Sequence, residues 1–239
     1  MVLFYYLYSD KEILESHGNI IYKIWFILYI TLEEVFWLYM VILINEIVLN
    51  LKEKYEVLNQ KFVQVLNISV ENKFMSKDVD LMTLKEIKKI KFLYRYINDL
   101  VERTNDLLGW PTFCLMAYTM LDALTILNCL VVGEYMQLIF TDTLELFAII
   151  IYTVYIALSC DFTSYEGKKI ITLCYDLEDK FPMKSPIRKE LLEVAVQAKH
   201  FPPKFVSMGL FDINRKILLS MVATITTYVI AIIQFNSVL

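Results

Sequence analysis

Glycine and proline are scarce, five of each in 239 residues. A disordered or fibrous chain needs both in bulk, so those classes are excluded. Cysteine occurs four times, at Cys114, Cys129, Cys160 and Cys174, with no CxxC and no spacing of a secreted disulfide framework. Three of the four lie in apolar runs, where a thiol packs as a small hydrophobe. The two histidines, His17 and His200, are isolated, so no metal site is expected. Phosphate loops, nucleophile–base motifs and zinc spacings are all missing, which leaves enzyme activity and a bound cofactor without support. The net charge of −4 lacks the basic footprint of a nucleic-acid binder.

What is present is apolar residue, 57% of the chain, with a mean hydropathy of +0.50. Soluble domains sit lower, near 45–50% apolar. A membrane helix needs roughly 20 mostly apolar residues, and four stretches meet that length: 24–44, 111–132, 138–160 and 217–235. The apolar start, Met1–Tyr8, is too short to span and lacks the basic flank and cleavage site of a signal peptide. The expected fold class is therefore all-α, a polytopic helical membrane protein with about four transmembrane helices.

Loop charge orients these spans. Of the 23 Lys and Arg, two precede or begin the first span, eleven lie within 45–110 and ten within 161–216. Basic residues near spans stay cytosolic. Segments 45–110 and 161–216 are thus expected in the cytosol, with 1–23 and the tail 236–239 outside. The loops are themselves helical in pattern. Val48, Leu51, Tyr55, Leu58, Phe62, Val65 and Leu66 continue the first span at helical spacing. Leu84, Ile87, Ile90, Tyr94, Ile97, Val101 and Leu108 mark a second long helix, expected to stop at Gly109-Trp110-Pro111, with Pro111 opening the next span. Trp110 belongs at headgroup level. Lys168–Glu178 and Ile187–His200 read as further helices, Pro202-Pro203 ends the latter, and Asp212 is the expected cap of the last span.

The last span ends Thr227-Tyr228, five apolar residues, Gln234-Phe235. This resembles the C-terminal signature of the insect gustatory receptor family. Gly209-Leu210-Phe211-Asp212-Ile213-Asn214, Gly109-Trp110-Pro111 and Tyr165-Glu166-Gly167-Lys168-Lys169 are similar to other family segments. The resemblance covers roughly Ile20 to Leu239 and reaches spans four to seven, so the chain is expected to be N-terminally truncated. It implies a plasma-membrane, tetrameric, ligand-gated nonselective cation channel that responds to a small-molecule tastant. It also implies that cytosolic helices join the subunits and that the last helix lines the pore. Thr227, Tyr228, Gln234 and Phe235 then lie on the pore helix, and Val229–Ile233 is expected to form a dewetting gate.

Other candidates come from the residues themselves. Glu33 and Glu34 fall mid-span, as does Asp122, with no basic residue in a span core to pair them. An ionised acid there costs at least about 2.5–3.5 kcal/mol. They either line a polar ligand pocket or stay neutral and structural. Glu134, Asp142 and Glu145 cluster where the second and third spans meet outside, as a cation-concentrating mouth or an ordinary solvated turn. A nonconducting modulatory or scaffold subunit, a nonfunctional fragment and a transporter remain as alternatives to the channel.

Overall fold

A computed structural model describes residues 20–71, 77–132 and 136–236. Helix α1 spans Ile20–Glu71, α2 Lys77–Val132, α3 Met136–Glu178 and α4 Pro186–His200. A two-stranded antiparallel hairpin follows, β1 Val206–Ser207 on β2 Phe211–Asp212, and α5 runs over Arg215–Asn236. The chain divides into two units, Met1–Ile42 and Leu43–Leu239. In the first, the opening of α1 carries Phe36 edge-to-face on Trp37, ring centroids 6.0 Å apart. Three described stretches are long and apolar enough to cross a membrane: Leu81–Asn128 of α2, Leu146–Glu178 of α3 and Arg215–Gln234 of α5. The molecule is thus an all-α polytopic membrane protein.

The second unit is built on the helical stripes visible in the sequence. Val48, Leu51, Tyr55, Leu58, Phe62 and Leu66 of α1 are buried, as are Ile87, Ile90, Tyr94, Ile97, Val101 and Leu108 of α2. Each such side chain contributes roughly 1.5–3 kcal/mol on leaving water. α4 begins as its residues dictate. The Ser185 hydroxyl accepts from the Ile187 N–H at 3.2 Å, and Pro186 takes the first-turn position where its missing N–H costs nothing.

Three expectations are corrected. α2 does not stop at Gly109-Trp110-Pro111 but continues through it as one helix. Pro111 removes one backbone donor, while the Thr112 hydroxyl donates to the Leu108 carbonyl at 2.7 Å within the same turn. Gly109 is a point of close approach rather than a breaker. A Cβ there would stand 2.9 Å from the Met208 backbone nitrogen and 3.5 Å from the Val206 carbonyl oxygen. Likewise the third span and the Lys168–Glu178 segment form one helix, α3. Asp212 is not a cap, because it sits in β2 opposite Val206. Asn214 performs that role, its side-chain oxygen accepting from the Lys216 N–H at 2.8 Å.

Candidate functional site

The residues that carry chemistry converge on α5 and on the segment that holds its start. α5 has no buried residue anywhere between Arg215 and Gln234. Its 100° rotation per residue sorts it into three faces. Ile217, Met221, Ile225, Val229 and Ile232 are half-buried and form the stripe that packs on α2 and α3. Leu219, Val222, Ile230 and Ile233 form an exposed, mostly apolar face that also carries Thr226, whose hydroxyl donates to the Val222 carbonyl at 2.8 Å. Ser220, Thr224, Thr227 and Gln234, with Ala231 among them, form a third face of small and polar side chains. The hydroxyls of Thr224 and Thr227 donate to the carbonyls of Ser220 and Ala223, each at 2.9 Å. Each hydroxyl keeps lone pairs that can still accept.

The start of α5 is clamped from two sides. Arg215 Nε donates to Asp161 Oδ2 of α3 at 2.5 Å, and its guanidinium lies 5.1 Å from the centre of the Phe162 ring. The hairpin just before it is strapped to α2. The Asn105 amide donates to the Lys204 carbonyl at 2.8 Å and accepts from the Val206 N–H at 3.0 Å. The Ser207 hydroxyl donates to the Gly109 carbonyl at 3.0 Å, and Ser207 is fully buried. An aromatic row, Trp110–Phe113–Phe211, continues the contact, with centroids 5.9 and 6.4 Å apart. The turn between the strands places Met208 and Gly209 at φ of 51° and 71°, the left-handed region.

Below this strap lies a buried polar chain. The Tyr55 hydroxyl donates to the Asn98 side-chain oxygen, whose amide donates to the Phe201 carbonyl at 2.6 Å. The Asn59 amide donates to the Glu166 carbonyl at 2.9 Å. Burial raises the Tyr55 hydroxyl pKa well above that of a free tyrosine, with the neighbouring Tyr94 adding to it. At the edge of the same bundle Lys91 donates to Glu190 Oε1 at 3.1 Å and to Glu193 Oε2 at 2.9 Å. Desolvation pulls the Lys91 pKa down, but the hydrogen bonds and charges of the two carboxylates outweigh it, so the net shift is upward. The Lys91 hydrogen bond holds Glu193 below its ordinary range.

The candidates from the sequence fall as follows. Thr227 and Gln234 share the polar face of α5, and Tyr228 stands exposed at its border. Phe235 is on α5, with its side chain outside the described residues. Within Val229–Ile233, Val229 and Ile232 belong to the packing stripe and Ile230 and Ile233 to the exposed apolar face, because five consecutive helical residues spread around the axis. Asp122 is buried in α2 at 4% exposure, one turn from Thr119, whose hydroxyl meets that of Thr153 of α3 at 2.9 Å. Glu33 is half-buried in the first unit, and the Glu34 side chain lies outside the described residues. Glu134 lies outside them as well, as do the side chains of Asp142 and Glu145 on α3. The strap and the Tyr55–Asn98 chain were not singled out from the sequence. A signal for the second existed, since Tyr55…Asn59 and Tyr94…Asn98 repeat the same one-turn pair on the two apolar stripes.

No metal-binding cluster is present among the described residues. None of the curated proteins compared matches the chain. A model of the 7tm chemosensory receptors matches residues 1–238, and on that match over almost its whole length the chain belongs to the 7tm chemosensory receptor family.

Proposed function

We propose that the chain is a gustatory-type chemoreceptor subunit, part of a ligand-gated nonselective cation channel in the plasma membrane. It assembles as a homo- or hetero-tetramer, gated by a small-molecule tastant, with α5 as the pore helix. Segments 45–110 and 161–216 are cytosolic in this reading, and the C-terminus is extracellular, as the loop charges favour. One observation carries the reading: α5 is the most apolar of the three stretches, with a mean hydropathy of 2.0, yet none of its residues is fully buried by its own protomer. A helix that needed only lipid around it would be apolar over every free face. α5 instead keeps a stripe of Ser220, Thr224, Thr227 and Gln234 alongside an apolar one. The Thr224 and Thr227 hydroxyls bond their own helix, and their remaining lone pairs are met best by water or another polar surface. The threonine hydroxyls present lone pairs, which suits cations rather than anions.

Thiol scanning tests this. Ser220→Cys, Thr224→Cys and Thr227→Cys should react rapidly with a charged, membrane-impermeant thiol reagent, because only a wetted thiol ionises. Leu219→Cys, Val222→Cys and Ile230→Cys should stay slow, and modification at Thr227→Cys should alter currents. Equal rates around the helix would remove the pore assignment. A reactive polar stripe without currents would favour a nonconducting modulatory subunit.

A further inference from the structure

The hairpin that precedes α5 turns an apolar tip outward at a defined height. Phe205, Ser207 and Ile213 face inward and are buried, whereas Met208 and Leu210 are 45% and 66% exposed. The hairpin cannot move far along α2, because the Met208 nitrogen lies against Gly109 and Ser207 is bonded to the Gly109 carbonyl. Gly109 is one residue from Trp110 and two from Pro111, where the apolar run of α2 begins. Trp110 and Leu107 are also exposed, at 59% and 69%. The tip is therefore level with the point where two spanning helices, α2 and α5, leave the polar part of the molecule. Water is a poor solvent for large apolar side chains exposed at that height. A tryptophan at a span end marks the headgroup zone.

The geometry points to a lipid-binding foot: Met208 and Leu210 insert, beside Trp110, into the headgroup–acyl boundary of the leaflet on the side of segment 161–216. The occupant is the bilayer itself. The flanking charges fit that depth, since Lys204 and Asp212 pair at 3.6 Å and Lys216 is exposed in the first turn of α5. The left-handed Met208 supports the same assignment. A non-glycine residue at φ 51° is disfavoured, and here the turn directs its side chain out of the protein rather than into it. The foot also has a consequence for α5. It shares with the start of that helix a rigid strap of only a few residues, so the leaflet position and the position of α5 are mechanically tied. The inference rests on the spanning character of α2 and α5 and not on channel activity.

The test uses the full chain in vesicles of phosphatidylcholine with a minor fraction of phosphatidylserine. Tryptophan is introduced by Leu210→Trp, and its emission is read as the difference from the unaltered chain. The expected result is a blue-shifted difference spectrum that brominated acyl chains quench and iodide does not. Met183→Trp, at an 86% exposed position on the loop before α4, serves as the folded control and should show the reverse. Iodide quenching at Leu210→Trp without bromolipid quenching means that the tip stands in water, and overturns the foot. Shielding from both quenchers means that protein covers the tip, from a second copy or another segment, and overturns it equally.

Discussion

Replacing Gly109 by alanine separates two physical arguments that point in opposite directions. On helix propensity alone the change in the middle of α2 should stabilise by about 1 kcal/mol. The tertiary structure reverses the sign. The new methyl would lie 2.9 Å from the Met208 backbone nitrogen, a main-chain atom that cannot rotate away. The hairpin would have to lift, which weakens the 3.0 Å Ser207–Gly109 hydrogen bond and the two Asn105 bonds beside it. Overpacking costs about 1–3 kcal/mol, and one lost buried hydrogen bond about another 1 kcal/mol. Set against the propensity gain, the net expectation is a loss of about 1–3 kcal/mol. Reversible unfolding of the purified chain in mixed detergent micelles, followed by near-ultraviolet circular dichroism, measures it. A Gly109→Ala variant as stable as the parent, or more so, refutes the close-approach reasoning and returns Gly109 to a simple helix residue.

Asn98→Leu should cost about 1–3 kcal/mol, chiefly by leaving the buried Tyr55 hydroxyl unmatched, with loss of the bond to the Phe201 carbonyl. Adding Tyr55→Phe should restore part of the loss in a double-mutant cycle, whereas strict additivity would show that the two do not interact. Lys91→Met should weaken the α2–α4 contact only in a pH window. Glu193 is held below its ordinary 4.5, so its contribution is present above that pH and fades as pH falls through the lowered value. Lys91 is raised above 10.5, so its part persists at lower pH and is lost as pH climbs through the raised value. The stability difference between parent and variant should therefore be flat at neutral pH and vanish at both extremes, and a gap independent of pH refutes the ion-pair account. Asp122→Ala should leave crosslinked assembly intact while shifting the tastant response, and a variant that fails to assemble assigns Asp122 to structure instead.

Much of this architecture was legible along the chain. The stripe from Val48 to Leu66 and that from Ile87 to Leu108 are buried where helical spacing placed them. The joints between elements were less legible. Gly109-Trp110-Pro111 reads locally as a stop and a restart, because Gly and Pro carry those roles in most contexts. Here the glycine answers to the Met208 backbone, far along the chain, and its carbonyl to the Ser207 hydroxyl. Asp212 and Asn214 are equally good caps by residue type, and pairing of β2 with β1 removed the first. The hairpin strands are two residues each, too short for any alternation to show.

By itself, the sequence determined that this is a membrane chain of long helices, because apolar content and 3.6-residue periodicity are local properties that lipid and neighbouring helices must satisfy. It also carried the motif at the end of α5. Only the tertiary structure decided which face of α5 packs and which stays open, why α2 runs through Pro111, and where the hairpin docks. Those depend on side chains and carbonyls that meet across about a hundred residues of chain, and no local pattern encodes such an approach.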